Sequence, residues 1–530
     1  YLSGDWTKTG RAWGLSVKRL WNYLKKYKKE SILAPLFKML EASFELIVPL
    51  VMAAIIDVGI AGADRPYIFR MCAMLFLLAA VGLVSSVTAQ YFAAKAAVGC
   101  AKQLKHALFA HLQNLSYTEL DTLGTSTLIT RMTSDANQVQ AGINLTLRLL
   151  LRSPFVVLGA MIMAFTIDAK AALIFVVAIP LLSVIIFFIM LYTIPLYRRV
   201  QGQLDRVLGQ TRQTLTGIRV VRAFCKEQEQ TKEFVEENET LATMQKFVGR
   251  ISALMNPICL LVVNGAIIAL IWTGAIRVSV GLLTQGAVVA LYNYMSQILV
   301  ELIKLANLII NVTKAAASWR RIDAVFSIAP SVRSGEVVPK KAGNQKEKIV
   351  FRQAGLQYAG AGAESLTGVD LKISQGQIVG IIGGTGSGKT SLVNLIPRFY
   401  DATSGAVLVD GLDVREWDLA ALRGIIGVVP QKAALFQGTI RDNLLWGKKT
   451  ATDRELWRAL EIAQAKEVVQ GKPGGLDFVL EQGGGNLSGG QRQRLTIARA
   501  LVRQPEILIL DDSMSALDLL TDSKLRRAIA

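Results

Sequence analysis

Six long apolar stretches follow one another in the N-terminal part of this chain, and they restrict the folds open to it. A helix needs about 20 apolar residues to cross about 30 Å of hydrocarbon, and each stretch is long enough to do so. The stretches lie near 31–59, 68–98, 142–167, 171–196, 251–276 and 284–311. The sequence therefore predicts a transmembrane domain of six helices within residues 1–330.

The connections between these stretches alternate in length, and the basic residues concentrate on the long ones at 99–141 and 197–250. Cytoplasmic loops are enriched in Lys and Arg, so we expect both long connections and both chain ends on the cytoplasmic side of a plasma membrane. The formal net charge of +19 has nucleic-acid binding as an alternative explanation. Because the basic residues lie beside the apolar segments, attraction to membrane lipid is the favoured reading, without a nucleic-acid partner.

Residues 15–29 place apolar and basic side chains at helical spacing. Such an amphipathic helix is expected in the headgroup layer of the inner leaflet. The alternative is that it forms the solvated start of the first spanning helix. The two long connections also show helical periodicity, so they are expected to extend the spanning helices into the cytoplasm rather than to form loose loops.

Charged residues interrupt several of the apolar stretches. Lys38, Glu41 and Glu45 share one face of the first helix, and Arg152 and Glu301 lie in the third and sixth. Charges at this depth are expected to face a wet cavity or one another. Two readings stay open: a polar stripe along a substrate path, and ion pairs between helices.

The C-terminal part of the chain reads as an α/β domain at 331–530, which begins with a linker at 331–348 that is rich in Lys and broken by Pro and Gly. An apolar strand predicted at 378–382 leads into a glycine-rich loop of the P-loop type at 383–390. The glycines let backbone N–H groups surround phosphate oxygens. Lys389 is expected to reach the β- and γ-phosphates of ATP, and Thr390 to bind Mg²⁺. The predicted ATP-binding residues here are Gly383, Gly384, Thr385, Gly386, Ser387, Gly388, Lys389, Thr390 and Ser391.

Two further motifs follow the P-loop in order. Residues 487–491 read Leu-Ser-Gly-Gly-Gln, and a predicted strand at 508–510 ends in Asp511, which is placed to hold Mg²⁺ through water. Each motif alone has an ordinary explanation, such as a glycine-rich turn or a surface acid at a strand end. Their combination and order do not.

Together these motifs and the apolar stretches resemble a half-transporter of the ABC exporter family, over nearly the whole chain. The resemblance implies two ATPase domains arranged head to tail, with ATP between the P-loop of one and the signature of the other. This chain's signature would then act on the partner's nucleotide through Leu487, Ser488, Gly489, Gly490 and Gln491. It also implies short coupling helices at 116–123 and 216–224, where the residues alone would indicate generic amphipathic helices.

Other positions match the family one by one. Tyr358 resembles the aromatic that stacks on adenine, although alone it would more often be a core residue. Gln431 resembles the residue that touches Mg²⁺ and the attacking water, which adds a metal ligand to Thr390 and Asp511. Residues 515–518 resemble the loop that crosses between two ATPase domains, and Glu481 resembles the acid of a loop near the coupling helices.

The sequence departs from the family at two places. Where the family has a Glu that activates water, this chain has Asp512, whose carboxylate is set back by about 1 Å. A misplacement of that size costs on the order of 10²-fold in rate, so the chain's own site is expected to bind ATP but hydrolyse it slowly. The family also has a histidine downstream of the position of Asp518 that contacts the γ-phosphate. No histidine follows Asp518 here, so the ATPase domain is expected to be truncated at its C-terminus.

These observations predict a bacterial protein that exports amphipathic small molecules by alternating access, using ATP and Mg²⁺. The predicted partner is a different half-transporter that carries the catalytic Glu. Export of peptides or lipids is the near alternative, and an ATP-gated channel or a nucleotide-sensing regulator is the alternative from another class.

Overall fold

The computed structural model describes residues 18–339, 346–515 and 517–529. The first residues of the predicted amphipathic helix, part of the predicted linker and Ala516 lie outside this description. The chain forms two compact units. The first comprises the described residues of Tyr1–Ala110 together with Ile129–Ser327, and the second comprises His111–Leu128 and the described residues of Ile328–Ala530.

The predicted set of six spanning helices is confirmed, since six helices are long and apolar enough to cross a membrane in the described part of the chain. Two short helices lie between them and are called the first tip, α3, and the second tip, α6. In chain order the helices are α1 (Lys18–Ile60), α2 (Arg65–Asn114), α3 (Tyr117–Leu123), α4 (Thr125–Ile167), α5 (Ala169–Thr216), α6 (Ile218–Ala223), α7 (Glu227–Ser279) and α8 (Gln285–Phe326).

The long helices run well past their apolar stretches, which confirms that the long connections are helical extensions. The apolar part of α2 ends near 98, for example, but the helix continues to Asn114. At the opposite end of the helices the connections are short and tightly closed. Asp168 caps α5 by accepting a hydrogen bond from the backbone N–H of Ala171 at 2.8 Å.

Small side chains let the helices of the first unit pack closely, as is typical of membrane helices. Fully buried alanines such as Ala160, Ala171 and Ala290 lie in its core around Phe175. At Gly142 an added Cβ would lie 2.2 Å from the Cβ of Ala315, so α4 and α8 require glycine at their contact. Large apolar side chains on the outer faces remain exposed, as contact with lipid requires.

The charges within the apolar stretches pair with one another. Arg152 is 6% exposed and donates to Glu301 at 2.5 Å and to Glu45 at 2.6 Å, so one guanidinium joins α1, α4 and α8. Lys38 bonds Glu41 on its own helix at 2.5 Å and the Ser86 hydroxyl on α2 at 3.1 Å. These bonds favour the reading as ion pairs between helices over the reading as a substrate path.

The second unit alternates short strands and helices. Its strands are β1 (Glu347–Leu356), β2 (Leu366–Ser374), β3 (Ser404–Val409), β4 (Leu412–Asp413), β5 (Ile426–Val429), β6 (Gly438–Thr439), β7 (Val479–Leu480) and β8 (Ile507–Leu510). Its helices after α8 are α9 (Lys389–Leu395), α10 (Leu419–Ile425), α11 (Ile440–Leu445), α12 (Asp453–Ile462), α13 (Lys466–Gln470), α14 (Gly489–Val502) and α15 (Leu519–Ile529).

Three sheets lie among the described residues of the second unit, and one of them is the short antiparallel pair of β6 and β7. The four-stranded antiparallel sheet has the order β2-β1-β3-β4, and its core includes Phe351 and Leu395. Strands β5 and β8 are parallel, with Ile426 opposite Ile507 and Val429 opposite Leu510. A second core forms around α11, α12 and α14, with Leu456 and Ile497 fully buried.

The prediction of a strand at 378–382 is wrong. These residues lie outside every strand, and Ile378 and Ile382 are 78% and 98% exposed. An apolar run becomes a strand only where a neighbouring strand supplies hydrogen-bond partners. No strand pairs with 378–382 among the described residues, so the run forms no β-ladder.

Candidate ATP site

Two glycines of the P-loop hold backbone conformations that other residues adopt only with strain. Gly386 and Gly388 have φ values of 82° and 87°, in the left-handed region that favours glycine. At Gly388 an added Cβ would lie 2.8 Å from the carbonyl oxygen of Ser365. Lys389 begins α9, and its Nζ donates to the carbonyl oxygens of Gly383 and Gly384 at 2.7 Å each. The ammonium therefore lies inside the curve of the loop.

The end of β8 and the start of α9 bring the two predicted metal ligands together. Thr390 Oγ1 donates to Asp511 Oδ1 at 2.9 Å. Strand β8 lies beside β5, and Asp511 continues that pairing because its N–H donates to the carbonyl of Val429 at 3.0 Å. This places the Asp511 carboxylate at the carboxyl edge of the parallel pair, where α/β folds hold their ligands.

Gln431 and Asp512 meet for the same reason, since each follows the carboxyl end of one of the two paired strands. Gln431 Nε2 donates to Asp512 Oδ2 at 3.1 Å. The backbone of Asp512 has a φ of 44°, in the left-handed region that Asp tolerates better than most residues. The hydroxyl of Ser515 donates to the backbone carbonyl of Asp512 at 3.0 Å and supports this turn.

Tyr358 is tied to the P-loop helix. Its hydroxyl lies 2.9 Å from Ser391 Oγ on α9, and its ring lies edge-on to Tyr400 with 5.1 Å between the ring centres. The ring is half-buried against the core of the antiparallel sheet, as a core residue would be. Stacking on adenine stays a prediction.

The signature forms the start of a helix. Ser488 caps α14, where Gln491 N donates to Ser488 Oγ at 3.3 Å and Ser488 N donates to Gln491 Oε1 at 3.1 Å. Leu487 is buried and anchors the turn in the core around α12, while Ser488 and Gly489 are exposed. The P-loop helix packs in the other core, so the signature and the P-loop belong to different parts of the second unit.

The residues at the P-loop fit a nucleotide with a magnesium ion. A hydroxyl and a carboxylate oxygen at Thr390 and Asp511 are the hard oxygen ligands that Mg²⁺ prefers. Magnesium at such sites takes one or two protein ligands and completes its shell with phosphate and water. Accordingly, the described residues contain no cluster of three or more acidic, His or Cys side chains that could hold a metal by itself.

Comparison with known proteins agrees with this architecture. Residues 31–302 match the family described as the ABC transporter transmembrane region, and 366–515 match the family described as ABC transporter. An uncharacterized ABC transporter ATP-binding protein of Mycobacterium tuberculosis (strain ATCC 25618 / H37Rv) is 35% identical over 512 residues, which cover 96% of this chain and 87% of that protein. This chain belongs to the ABC transporter family. It is therefore a multi-pass membrane protein whose ATPase domain drives transport.

Other relatives indicate the branch of the ABC family. An ATP-dependent lipid A-core flippase of Desulfotalea psychrophila is 33% identical over 424 residues, which cover 80% of this chain and 73% of the flippase. The structure of a bacterial Atm1-family ABC exporter with ATP bound aligns with a TM-score of 0.78 over 95% of this chain and 88% of the exporter, at 21% identity. The fold is thus that of an ABC exporter, a family whose half-transporters pair with another subunit or with a second copy.

Sequence reasoning missed two features, one beside the ATP site and one among the membrane helices. It did not single out Tyr400, which contacts Tyr358, because an aromatic residue after a helix gives no signal that separates it from core residues. It also left open whether Arg152 pairs with Glu45 and Glu301, since residues so far apart in sequence can be matched only in the folded molecule.

Proposed function

We propose that this protein is one half of a heterodimeric exporter that moves amphipathic small molecules out of a bacterial cell. The bond between Thr390 and Asp511 supports the ATP-driven part of this proposal, since it joins the P-loop helix to the acidic strand end at the predicted Mg²⁺ site. Residues 1–330 would form the transmembrane domain and 331–530 the nucleotide-binding domain. The basic residues of the long connections support a plasma-membrane location with both ends cytoplasmic.

ATP is proposed to bind this chain through the loop 383–390 and Ser391, with Tyr358 on the adenine side. Lys389 would exchange its two carbonyl partners for the β- and γ-phosphates. Thr390, Asp511 and Gln431 would hold Mg²⁺, which neutralises charge on the phosphates. Ser488 to Gly490 would contact the nucleotide of the partner, as the resemblance to ABC exporters implies. The packing of Leu487 and of the P-loop helix in different cores agrees with this.

Asp512 is proposed to make this chain's own site slow. Its carboxylate must position the attacking water, and a setback of about 1 Å costs on the order of 10²-fold. Its bond to Gln431 supports a place at the site, because Gln431 is the predicted partner of the same water. A partner chain with Glu at the matching position would then supply the competent site, together with this chain's intact signature.

The test of ATP-driven export uses the full chain with its partner in sealed vesicles. Uphill movement of a cationic amphipathic dye on addition of ATP and Mg²⁺ is expected, and Lys389→Ala should abolish it. A channel would only relax an existing dye gradient. That outcome would replace export by the channel alternative.

The test of the slow site compares the lone chain with the assembled pair. Without its partner, two copies of this chain paired with each other should hydrolyse ATP slowly, and Asp512→Glu should raise that rate by about 10-fold or more. Asp512→Asn serves as the control of equal size, and it should not raise the rate. Brisk hydrolysis by the lone chain that Asp512→Ala leaves unchanged would contradict the heterodimer proposal.

Lipid export is the second candidate, and the flippase relatives favour it. A headgroup-labelled phospholipid in the same vesicles separates the two candidates. If the protein exports lipid, ATP should cause loss of label from one leaflet, and addition of the dye should not slow that loss. Dye transport without lipid movement supports export of small amphipathic molecules.

A further inference from the structure

The first tip is held by the same part of the second unit that holds Tyr358. Chain connectivity makes this notable, since α2 begins in the first unit and the segment His111–Leu128 then packs with the second before α4 returns. A movement of the part of the second unit that contacts 111–128 therefore acts directly on the adjoining ends of α2 and α4.

Tyr400 contacts both Tyr358 and the first tip. On one side its ring meets Tyr358 edge-on, with the ring planes at 90° and 5.1 Å between the centres. On the other side its hydroxyl donates to Asp121 Oδ2 of the first tip at 2.6 Å. A single side chain thus joins the adenine side of the proposed site to the first tip.

The nucleotide end of this connection is short. Tyr358 reaches Ser391 Oγ at 2.9 Å, and Ser391 follows Thr390 on the P-loop helix. Ser391 is itself buried, so the phenol of Tyr358 bonds to a fixed group. A change in the position of α9 or of the Tyr358 ring is therefore transmitted to Tyr400 by direct contact.

The tip end is reinforced by aromatic contacts. The ring of Tyr117 lies 4.7 Å from that of Phe399, centre to centre, and the Arg423 guanidinium lies 5.4 Å from the Phe399 ring. Arg423 also donates to the carbonyls of Pro397 and Arg398 at 3.0 and 2.9 Å. These contacts hold the segment 397–400 in place, and the Tyr400 hydroxyl adds a hydrogen bond to the first tip.

The linker after α8 is attached to the same tip. The N–H of Ser331 donates to Glu119 Oε1 at 3.1 Å, and the N–H of Val332 donates to Ser116 Oγ at 3.0 Å. The tip therefore connects two membrane helices through α2 and α4, and a third, α8, through this linker. Movement of the first tip can reach the transmembrane domain through α2, α4 and α8.

We propose that Tyr400 is a positioning residue that couples nucleotide occupancy at the P-loop to the position of the first tip, through Tyr358 on one side and Asp121 on the other. This proposal rests on the proposed ATP site. Binding of the adenine against Tyr358 shifts the edge contact with Tyr400, and the bond to Asp121 carries the shift to the tip. By reciprocity, loosening the bond to Asp121 changes nucleotide affinity although Asp121 does not touch the nucleotide.

The chemistry of the bond suits a permanent link. Burial raises the pKa of the Tyr400 hydroxyl, and the adjacent Asp121 carboxylate raises it further. The phenol therefore remains a donor at every physiological pH. A charged acceptor also makes the bond stronger than one between neutral groups.

The test measures binding of a fluorescent ATP analogue with a methylanthraniloyl group, with Mg²⁺, to the full chain in its assembled pair. Tyr400→Phe and Asp121→Ala should each weaken binding about 5-fold, the lower end of typical coupling between sites. Asp121→Asn keeps an acceptor oxygen and should restore most of the affinity. The double variant should be no weaker than either single one, because both remove the same bond. Tyr197→Phe, which removes a hydroxyl near Ser252 in the first unit, is the matched control.

A second readout separates coupling from a merely structural role. Amide hydrogen exchange of 117–123 should slow on addition of ATP and Mg²⁺, and Tyr400→Phe should remove this slowing. A structural role alone would speed exchange equally with and without nucleotide, which would overturn the proposal.

Failure of the proposed ATP site is distinguishable from failure of the coupling. Lys389→Ala should weaken binding of the analogue more than any of these variants. If Lys389→Ala has no effect, the ATP site is wrongly placed. If it acts but Tyr400→Phe and Asp121→Ala do not, the site stands and the coupling is wrong. An effect of Tyr400→Phe without one of Asp121→Ala would also contradict the coupling to the tip.

Discussion

The two tips of the long helices differ in what covers them. The first tip lies against Phe399 and Tyr400, and its Asp121 accepts a hydrogen bond from Tyr400. At the second tip two large apolar side chains are exposed, Val220 at 60% and Phe224, which directly follows α6, at 72%. One tip thus docks on the unit to which it belongs, whereas the second tip presents exposed apolar side chains.

This difference indicates that a single chain does not supply a covering surface for both of its tips. Exposed apolar groups on a short cytoplasmic helix are unfavourable in water unless another surface covers them. ABC exporter halves act in pairs, so we propose that the ATPase domain of the partner covers the second tip. Each ATPase domain would then hold one tip from each chain. The following predictions can break or sharpen this contrast.

The largest expected effect is on the second tip. Val220→Asp combined with Phe224→Asp should lower ATP-driven transport by about 10-fold or more, because the partner surface would have to bury unpaired charges. The thermal unfolding midpoint of the lone chain should not change, since both side chains are exposed there. Leu208→Asp on α5 places the same charge outside the tip and should leave transport intact. A lowered midpoint in the lone chain would show that the second tip is covered within its own chain.

A substitution in the first tip, unlike one in the second, should already destabilise the lone chain. Tyr117→Ala removes ring contacts to Phe399 and Tyr400 and should destabilise the docked tip by about 1–2 kcal/mol, even in the lone chain. Amide exchange of 117–123 measures this loss. Phe224→Ala is the control and should leave amide exchange of the lone chain unchanged. Equal effects of the two variants would remove the contrast between the tips.

A smaller effect is expected from the glycines beside the tips. Gly124 ends the first tip with a φ of 72°, and an added Cβ there meets open space, so Gly124→Ala should cost about 1 kcal/mol through backbone strain alone. Gly217 precedes the second tip with a φ of −92°, which any residue adopts. Gly217→Ala should therefore change the free energy of unfolding less than Gly124→Ala, and denaturant titration compares them.

The smallest effect is a pH dependence confined to the first tip. Burial raises the pKa of Glu119, but hydrogen bonds from Ser331 and Ser116 outweigh it and hold the pKa below its usual range. A lowered pKa contributes stability above the unfolded value of about 4.3, and this stability is lost as the pH falls below it. Exchange of 117–123, corrected for its intrinsic rate, should therefore rise from about pH 6 to about pH 4. Glu119→Gln should flatten this rise, and 218–223, which contains no carboxylate, should show none.

Sequence reasoning succeeded where the physics is local. Apolar length alone indicates a spanning helix, and helical periodicity beyond the apolar part indicates its extension, as α2 shows. The P-loop pattern likewise specifies its own backbone through glycines such as Gly388. It failed at 378–382, because an apolar run does not reveal whether a neighbouring strand is present.

Within the candidate site, the chain's linear pattern indicated the residue types but not their partners. Gln431 and Asp512 were singled out separately, and only the pairing of β5 with β8 brings them to 3.1 Å. Arg152 could have faced a cavity, and the fold instead places it between Glu45 and Glu301.

By itself the sequence determined six membrane-crossing helices and a phosphate-binding loop, because each follows from a pattern over a few tens of residues. It also carried an ATPase signature that its resemblance to the family identifies. The tertiary structure decided which tip docks in its own chain and that Tyr400 meets Asp121, 279 positions away. Contacts at such separation depend on the packing of whole domains, and no local pattern of side chains encodes them.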